Sequence, residues 1–231
     1  MKPIDSKIAP ATDGHRKRLR ERLFSAGPDS MQDYELLEMM LYPAIPRRDV
    51  KPLAKALLVE FHDLWSVLNA KYQRLKDFGL PDVAISGLLI ASALSQRAMK
   101  KQIMSKPILQ SWQQLVDYCR MAMGAETKEQ FRLIFLDRKN RLLSDEVHQH
   151  GTIDHTPVYP REVVQRALEV GAGAIVMVHN HPSGDPQPSR EDIAMTNAIA
   201  AACKPLDIVL HDHIIIGRGG ETASFKGLGL L

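Results

Sequence analysis

The chain reads as an α+β protein in two parts, a small all-helical part over 1–104 and a second part over 105–231 that alternates strands with helices. Three observations predict this. In the first part, apolar residues recur at three- and four-residue spacings, the period of one helix face. In the second part, runs such as Ala174-Ile175-Val176-Met177-Val178 are short, rich in β-branched residues and bounded by glycine, as buried strands are. Charge divides at the same place: residues 1–104 carry 17 Lys+Arg against 12 Asp+Glu, and the remainder 13 against 15. A basic half joined to a slightly acidic half suggests two modules with different partners.

Residues 1–13 are polar and without periodicity, and read as a loose leader. Over 14–24, His15, Arg16, Lys17, Arg18, Arg20 and Arg22 stand against Glu21 alone, with Leu19 and Leu23 four apart. This spacing predicts a short amphipathic helix. Arg16, Lys17, Arg18, Arg20 and Arg22 are candidate nucleic-acid contacts, since clustered cations neutralise phosphates. A solvated basic helix explains the same residues equally well, because no aromatics interleave to stack bases. Gly27-Pro28-Asp29-Ser30 is a turn, with Asp29 or Ser30 capping a helix that runs to residue 42. Helices are expected over 49–61, 64–68 and 71–78, and a longer one over 83–99. The basic stretch 100–107 reads as the linker.

In the second part a helix is expected over 111–123, then strands over 129–137 and 142–150 joined by Arg138-Lys139-Asn140-Arg141, a hairpin. Gly151-Thr152 breaks the second strand. Pro160 near the first helical position starts a helix to about 170. The strand 174–178 follows, then a helix over 193–202 opened by Ser189-Arg190-Glu191-Asp192, and two further strands over 206–210 and 213–216.

The totals exclude several classes. Hydrophobic content of 45% and charged content of 25% are ordinary globular values. No apolar run reaches membrane-spanning length, and the first residues lack the apolar core of a signal peptide, so a cytoplasmic protein without membrane contact is expected. Cys119 and Cys203 form neither a disulfide framework nor a metal spacing, and read as core residues in a reducing compartment.

The chemistry concentrates after the strand 174–178. His179 and His181 are two residues apart, so they leave a strand end on the same side. A loop with Pro182, Pro186 and Pro188 follows, and Asp192 then offers a carboxylate from the next helix. Two neutral imidazoles and one carboxylate suit Zn²⁺ and leave a fourth position for a water acidified to near neutrality. Ser189, one turn earlier, could donate to a developing oxyanion. Ser189 and Asp192 also spell a helix N-terminal capping box, which needs no metal.

The combination His179-x-His181, seven residues, Ser189-x-x-Asp192 matches without a gap the motif of JAMM (MPN-type) metalloproteases. Further words resemble the RadC family (UPF0758 type): Gly14-His15-Arg16, Asp33-Tyr34-Glu35-Leu36-Leu37-Glu38, Ala44-Ile45-Pro46-Arg47, Phe135-Leu136-Asp137, Pro160-Arg161-Glu162, His179-Asn180-His181-Pro182-Ser183-Gly184-Asp185 and Leu210-His211-Asp212-His213-Ile214-Ile215-Ile216-Gly217. The resemblance covers nearly the whole chain. It implies a helix-hairpin-helix-like N-terminal domain and a JAMM/MPN (cytidine-deaminase-like) α/β domain with a mixed sheet. It also implies one zinc per chain on His179, His181 and Asp192, a glutamate base and a hydrolase function. In JAMM domains the base lies at the start of the strand after the first helix. That place is Glu129 here, with Glu126, Glu146 and Glu162 as alternatives. Ser183 and Asp185 are expected to shape the loop, Asn180 to face away from the histidines and pin it, and Asp212 to be a structural residue that orients a ligand imidazole. His211-Asp212-His213 is a second pair of histidines on one face and could form a rival zinc site, but no second carboxylate-bearing loop follows it at ligand spacing; His148, His150 and His155 read as surface residues. The hairpin word is Gly79-Leu80-Pro81, where proline removes a backbone N–H that a phosphate would use.

The first functional expectation is therefore a zinc metallopeptidase or isopeptidase acting on a peptide or protein amide bond. The alternatives are a DNA-binding accessory protein of repair or recombination, working through its basic N-terminal part, and a metal-dependent nuclease. A single-metal site lacks the two-ion clamp common in nucleases.

Overall fold

A computed structural model of the chain describes residues 14–104, 107–150 and 158–231. The leader expected over 1–13 and the break at Gly151-Thr152 lie outside these residues. The chain divides into two compact units, Met1–Ser95 and Gln96–Leu231. The expected boundary, 104/105, stands at the end of a helix in which this division falls.

The first unit holds α1 (His15–Ala26), α2 (Asp33–Leu41), α3 (Lys51–Phe61), α4 (Leu64–Leu68), α5 (Tyr72–Phe78) and the start of α6 (Asp82–Met104). Their periodic apolar residues form one core that includes Leu19, Leu37, Leu57, Phe61, Leu75 and Leu88. The start of α2 differs from expectation. Pro28–Ser30 forms a separate 3-10 turn, in which Ser30 Oγ donates to Gly27 O (2.7 Å), so Ser30 is spent before the helix begins. Gln32 is the N-cap instead, in a reciprocal box with Glu35.

The second unit continues with α7 (Trp112–Met123), β1 (Gln130–Leu136), β2 (Leu142–His150), α8 (Pro160–Glu169), β3 (Ala174–His181), α9 (Arg190–Cys203), β4 (Val209–Gly217) and β5 (Thr222–Ser224). The sheet order is β2-β1-β3-β4-β5. β3 and β4 are parallel and the other neighbours antiparallel, so the sheet is mixed. One sheet face packs Ile134, Val176, Val178 and Ile214 against α7, and the other packs Leu133, Phe135, Ile175 and Met177 against α8 and α9. β1 and the apolar run of β3 are buried on both faces, which is why they read as continuous runs rather than alternations.

Three expectations need correction here. Residues 100–104, expected as linker, are helical. Ile103 is buried, and Lys100 Nζ donates to Asp145 Oδ2 at 2.9 Å, so both ends of that turn are anchored. β4 is one strand, not two, because the polar word within it is absorbed. A bulge gives β4 one extra residue opposite Ile175 and Val176, at His211. Asp212 is buried and accepts from the backbone N–H of His213 (2.8 Å) and Lys226 (3.0 Å) and from Ser224 Oγ. β5, which contributes Ser224, was not expected.

The end of β4 lies against the loop that follows β3. A Cβ on Gly217 would collide with the carbonyl oxygen of Gly184, itself at φ +103°. The two backbones approach as only glycine allows. No helix among the described residues is long and apolar enough to cross a membrane. Gly217→Ala is expected to destabilise the domain by about 1–3 kcal/mol in urea denaturation, the usual cost of overpacking. Gly227→Ala, where a Cβ would meet nothing closer than 3.4 Å, serves as the near-neutral comparison.

Candidate metal centre

β3 ends in His179 and His181, whose side chains project to one side of the sheet as alternate strand residues must. Their Nε2 atoms stand 2.9 Å apart. Asp192, in the first turn of α9, closes the triangle: Oδ1 is 3.2 Å from His179 Nε2 and Oδ2 is 3.5 Å from His181 Nε2. Donor atoms around a tetrahedral ion with bonds of roughly 2.0–2.1 Å sit about 3.3 Å from one another. The three separations bracket that value.

The hydrogen bonds behind the histidines decide which ring nitrogen carries the proton. Thr196 Oγ1 lies 2.6 Å from Asp192 O, and a carbonyl only accepts, so the threonine proton is between them. His213 Nδ1 lies 2.7 Å from the same Oγ1 and must be the donor. His213 is fully buried, and burial with His179 beside it holds its pKa well below the usual histidine value, so it is neutral and its Nε2 is a bare acceptor. His179 Nδ1, 2.7 Å away, therefore donates to it. On the other ring, His181 Nδ1 donates to Asp185 O at 2.7 Å. Both rings thus present Nε2 lone pairs to each other and to a carboxylate. Two acceptors at 2.9 Å need a proton or a cation between them. The residues fit a divalent ion on this ground. Aromatic contacts hold the rings: Phe131 stacks on His179, and Phe225 stacks on His213.

The carboxylate's own field is consistent with this. Burial pushes Asp192 up, but the His179 and His181 imidazoles, when they carry a proton on Nε2, outweigh burial and hold it well below the usual range. His181 is raised, first by Asp192 and against burial. The negative charge that favours a proton there favours a cation in the same place.

Glu129 immediately precedes β1. Among the described residues it joins His179 and His181 in the one cluster of three potential ligands, all ligand atoms lying within 4.8 Å of one another. That cluster omits Asp192, which nevertheless touches both imidazoles. Asp192 lies 3.2 and 3.5 Å from the two imidazoles, and Glu129 has a carboxylate oxygen within 4.8 Å of both, so two carboxylates border the same point. The alternatives are otherwise placed. Glu146 accepts two hydrogen bonds from Arg166 (2.8 and 2.7 Å), Glu162 stands 3.5 Å from His148, and the carbonyl of Glu126 accepts from Asn180.

Asn180 faces away from the histidines, as expected, but the segment that it pins is the one that carries Glu129. Its Oδ1 accepts from Gln130 N (2.8 Å), and its Nδ2 donates to Lys128 O (3.1 Å). Ser189 is the N-cap of α9. Its Oγ accepts from Asp192 N (3.0 Å) and donates to Asp192 Oδ2 (2.6 Å), so the capping box is present alongside the candidate site. Asp185 shapes the loop through His181 and through Gln187 N (2.9 Å), while Ser183 is exposed.

Asp212 does not orient an imidazole ring, since its oxygens are taken by backbone N–H groups and Ser224. His213 has that role instead. The rival site is also dissolved. The bulge separates His211, which meets Asn140 Oδ1 at 2.6 Å, from His213, which backs His179. Sequence reasoning missed Thr196 and gave His213 the wrong part, although the second His-x-His was the visible signal. His148 is half-buried rather than on the surface. His155, and the side chain of His150, lie outside the described residues.

The basic segment divides. Arg16 donates to Ile45 O (2.8 Å) and Arg48 O (2.7 Å) and lies over the Tyr42 ring, and Arg22 pairs with Glu35. These two arginines tie α1 to the rest of the unit, Arg16 through Nη2 and Arg22 through its pairing with Glu35. Lys17, Arg18 and Arg20 remain exposed, and Phe24, 81% exposed on the same helix, supplies the aromatic neighbour thought missing.

Comparison with known proteins adds two findings. The model of the family described as RadC-like JAB domain matches residues 109–230. A "UPF0758 protein" of Rhodobacter capsulatus is similar to this chain at 52% identity over 214 residues, covering 92% of this chain and 100% of that protein.

Thr196→Val keeps the shape of the core but removes the hydroxyl that sets the tautomers. Metal affinity, measured by competition with a chromophoric chelator, is expected to fall about 10- to 100-fold in Thr196→Val and in His213→Ala, as when outer partners of ligand histidines are removed. Unchanged affinity in both variants would mean that the chain of hydrogen bonds does not prepare the site.

Proposed function

The chain belongs to the RadC-like JAB domain family, and from that premise we propose that its second unit is a zinc-dependent amide hydrolase, a metallopeptidase or isopeptidase. The observation that carries the reading is the convergence of two Nε2 lone pairs and the Asp192 carboxylate on one point, with a second carboxylate, Glu129, within 4.8 Å of both imidazoles. His179, His181 and Asp192 would hold the ion. Zinc bound there supplies an acidified water and polarises an amide carbonyl.

The chain's own groups then do the proton work. The Glu129 carboxylate takes a proton from the attacking water as its oxygen bonds to the carbonyl carbon. It returns that proton to the amide nitrogen as the C–N bond breaks, leaving an acid and an amine. Ser189 Oγ–H, which donates to Asp192 in the resting geometry, would turn to the carbonyl oxygen as charge develops there. His213 and Thr196 keep His179 in its ligand tautomer throughout the cycle.

The test is elemental analysis together with turnover on a fluorogenic peptide library and a panel of ε-amino isopeptides. One zinc per chain is expected in the parent and little in Asp192→Ala. Glu129→Gln is expected to keep its zinc and lose about 10²- to 10⁴-fold in kcat, the usual worth of a positioned base. A parent that takes up no zinc after reconstitution overturns the reading. So does a Glu129→Gln variant as active as the parent.

A further inference from the structure

The first unit carries a cleft that the hydrolase reading leaves unused. Its volume is about 620 Å³, within the range of roughly 300–1,000 Å³ typical of small-molecule sites. Its lining is of two kinds. Ala44, Ile45, Leu53 and Leu80 give it apolar walls, and Arg47 and Arg48 stand at its rim. Both arginines are exposed, and among the described residues neither side chain makes a hydrogen bond or an ion pair.

Their placement is fixed from below. Arg16 spends its guanidinium on the carbonyls of Ile45 and Arg48, so the loop 45–48 is held by a cation rather than by a carboxylate. Arg47 and Arg48 therefore stand side by side on a stretch whose own carbonyls are held by a third arginine. Neither neighbouring acid makes an ion pair with them: Asp49 accepts from Lys51 N (3.0 Å), and Asp82 pairs with Lys76 (2.7 Å). Guanidinium groups that make no ion pair within the protein are open to an anion from outside it. Guanidinium forks match phosphate oxygens in geometry as well as charge. The apolar walls beside them fit a flat, weakly polar ring rather than a free inorganic ion.

We propose that this cleft binds a nucleotide unit, with its phosphate on Arg47 and Arg48 and its base and sugar along Ala44, Ile45, Leu53 and Leu80. The unit comes either from a free mononucleotide or from the phosphorylated end of a single strand. The site is separate from the metal centre and does not depend on the hydrolase reading.

Isothermal titration of the whole chain tests it, with thymidine 5′-monophosphate, a 5′-phosphorylated oligothymidylate, its 5′-hydroxyl counterpart and inorganic phosphate as probes. Arg47→Gln with Arg48→Gln is expected to weaken the phosphorylated probes by at least about tenfold. Lys17→Gln with Arg20→Gln, which removes the same charge from α1, should leave the mononucleotide unaffected. Ala44→Trp, filling the cleft, should abolish mononucleotide binding and spare inorganic phosphate. Equal affinity for mononucleotide and phosphorylated strand identifies the free nucleotide as ligand. Tighter binding of the strand that requires its 5′-phosphate identifies the strand end. The proposal is overturned if no phosphorylated probe binds, if binding survives the Arg47/Arg48 variant in a protein folded by circular dichroism, or if the α1 variant weakens the mononucleotide as much.

Discussion

Two imidazole lone pairs are made to face each other, and the second unit is arranged to hold them there. Such an arrangement is unfavourable by itself, because each nitrogen would otherwise turn to a donor or to water. It persists because neither ring can rotate. His179 is tied through His213 and Thr196 to the backbone of α9, and His181 is tied to the loop at Asp185. The carboxylate that completes the set comes from the same turn of α9 whose carbonyl anchors the chain of hydrogen bonds. A shift of α9 would therefore move the ligand and the tautomer control together. Binding sites built this way are prepared before the ion arrives, so little of the binding energy is spent on ordering side chains.

The sheet makes this rigidity affordable. β3 lies between two helical layers with its apolar run fully buried, so the strand that ends in the histidines has no freedom to slip. On the sheet face opposite the histidines, Asp145 accepts from Arg132 (2.6 Å), Lys100 and Tyr118, a buried network that ties β2, β1, α6 and α7. Removing one member of such a network leaves an uncompensated charge in the core, which is why its geometry is held firmly.

Much of this was legible in the sequence. The α+β class followed from two periodicities, and the positions of His179, His181, Ser189 and Asp192 followed from a strand end, a proline-rich loop and a helix start. The errors have physical causes. The polar word His211-Asp212-His213 looked like a break because a buried aspartate is rare. Its three partners come from its own strand, from β5 and from the chain just after it, and the last two are contacts that no local pattern predicts. A bulge then undid the two-residue alternation on which the face assignment of His211 and His213 relied. Residues 100–104 looked like a linker because their charges were visible and their anchor, Asp145, lies far along the chain. In α1, charge count could not separate Arg16, which donates to two backbone carbonyls, and Arg22, which pairs with Glu35, from Arg18 and Arg20 on the exposed surface.

Asn180 sits between the two histidines and reaches from β3 to the backbone on either side of Glu129. The spacing between the ion's ligands and the proposed base is thus written into the sheet and not into the loops around it. The stretch after β3 is fixed at its start as well, where Asp185 O holds His181 and the backbone of Gly184 meets Gly217. In the proposed hydrolase, selectivity would then belong to whatever lines the rim, while the reacting distance is a property of the sheet itself.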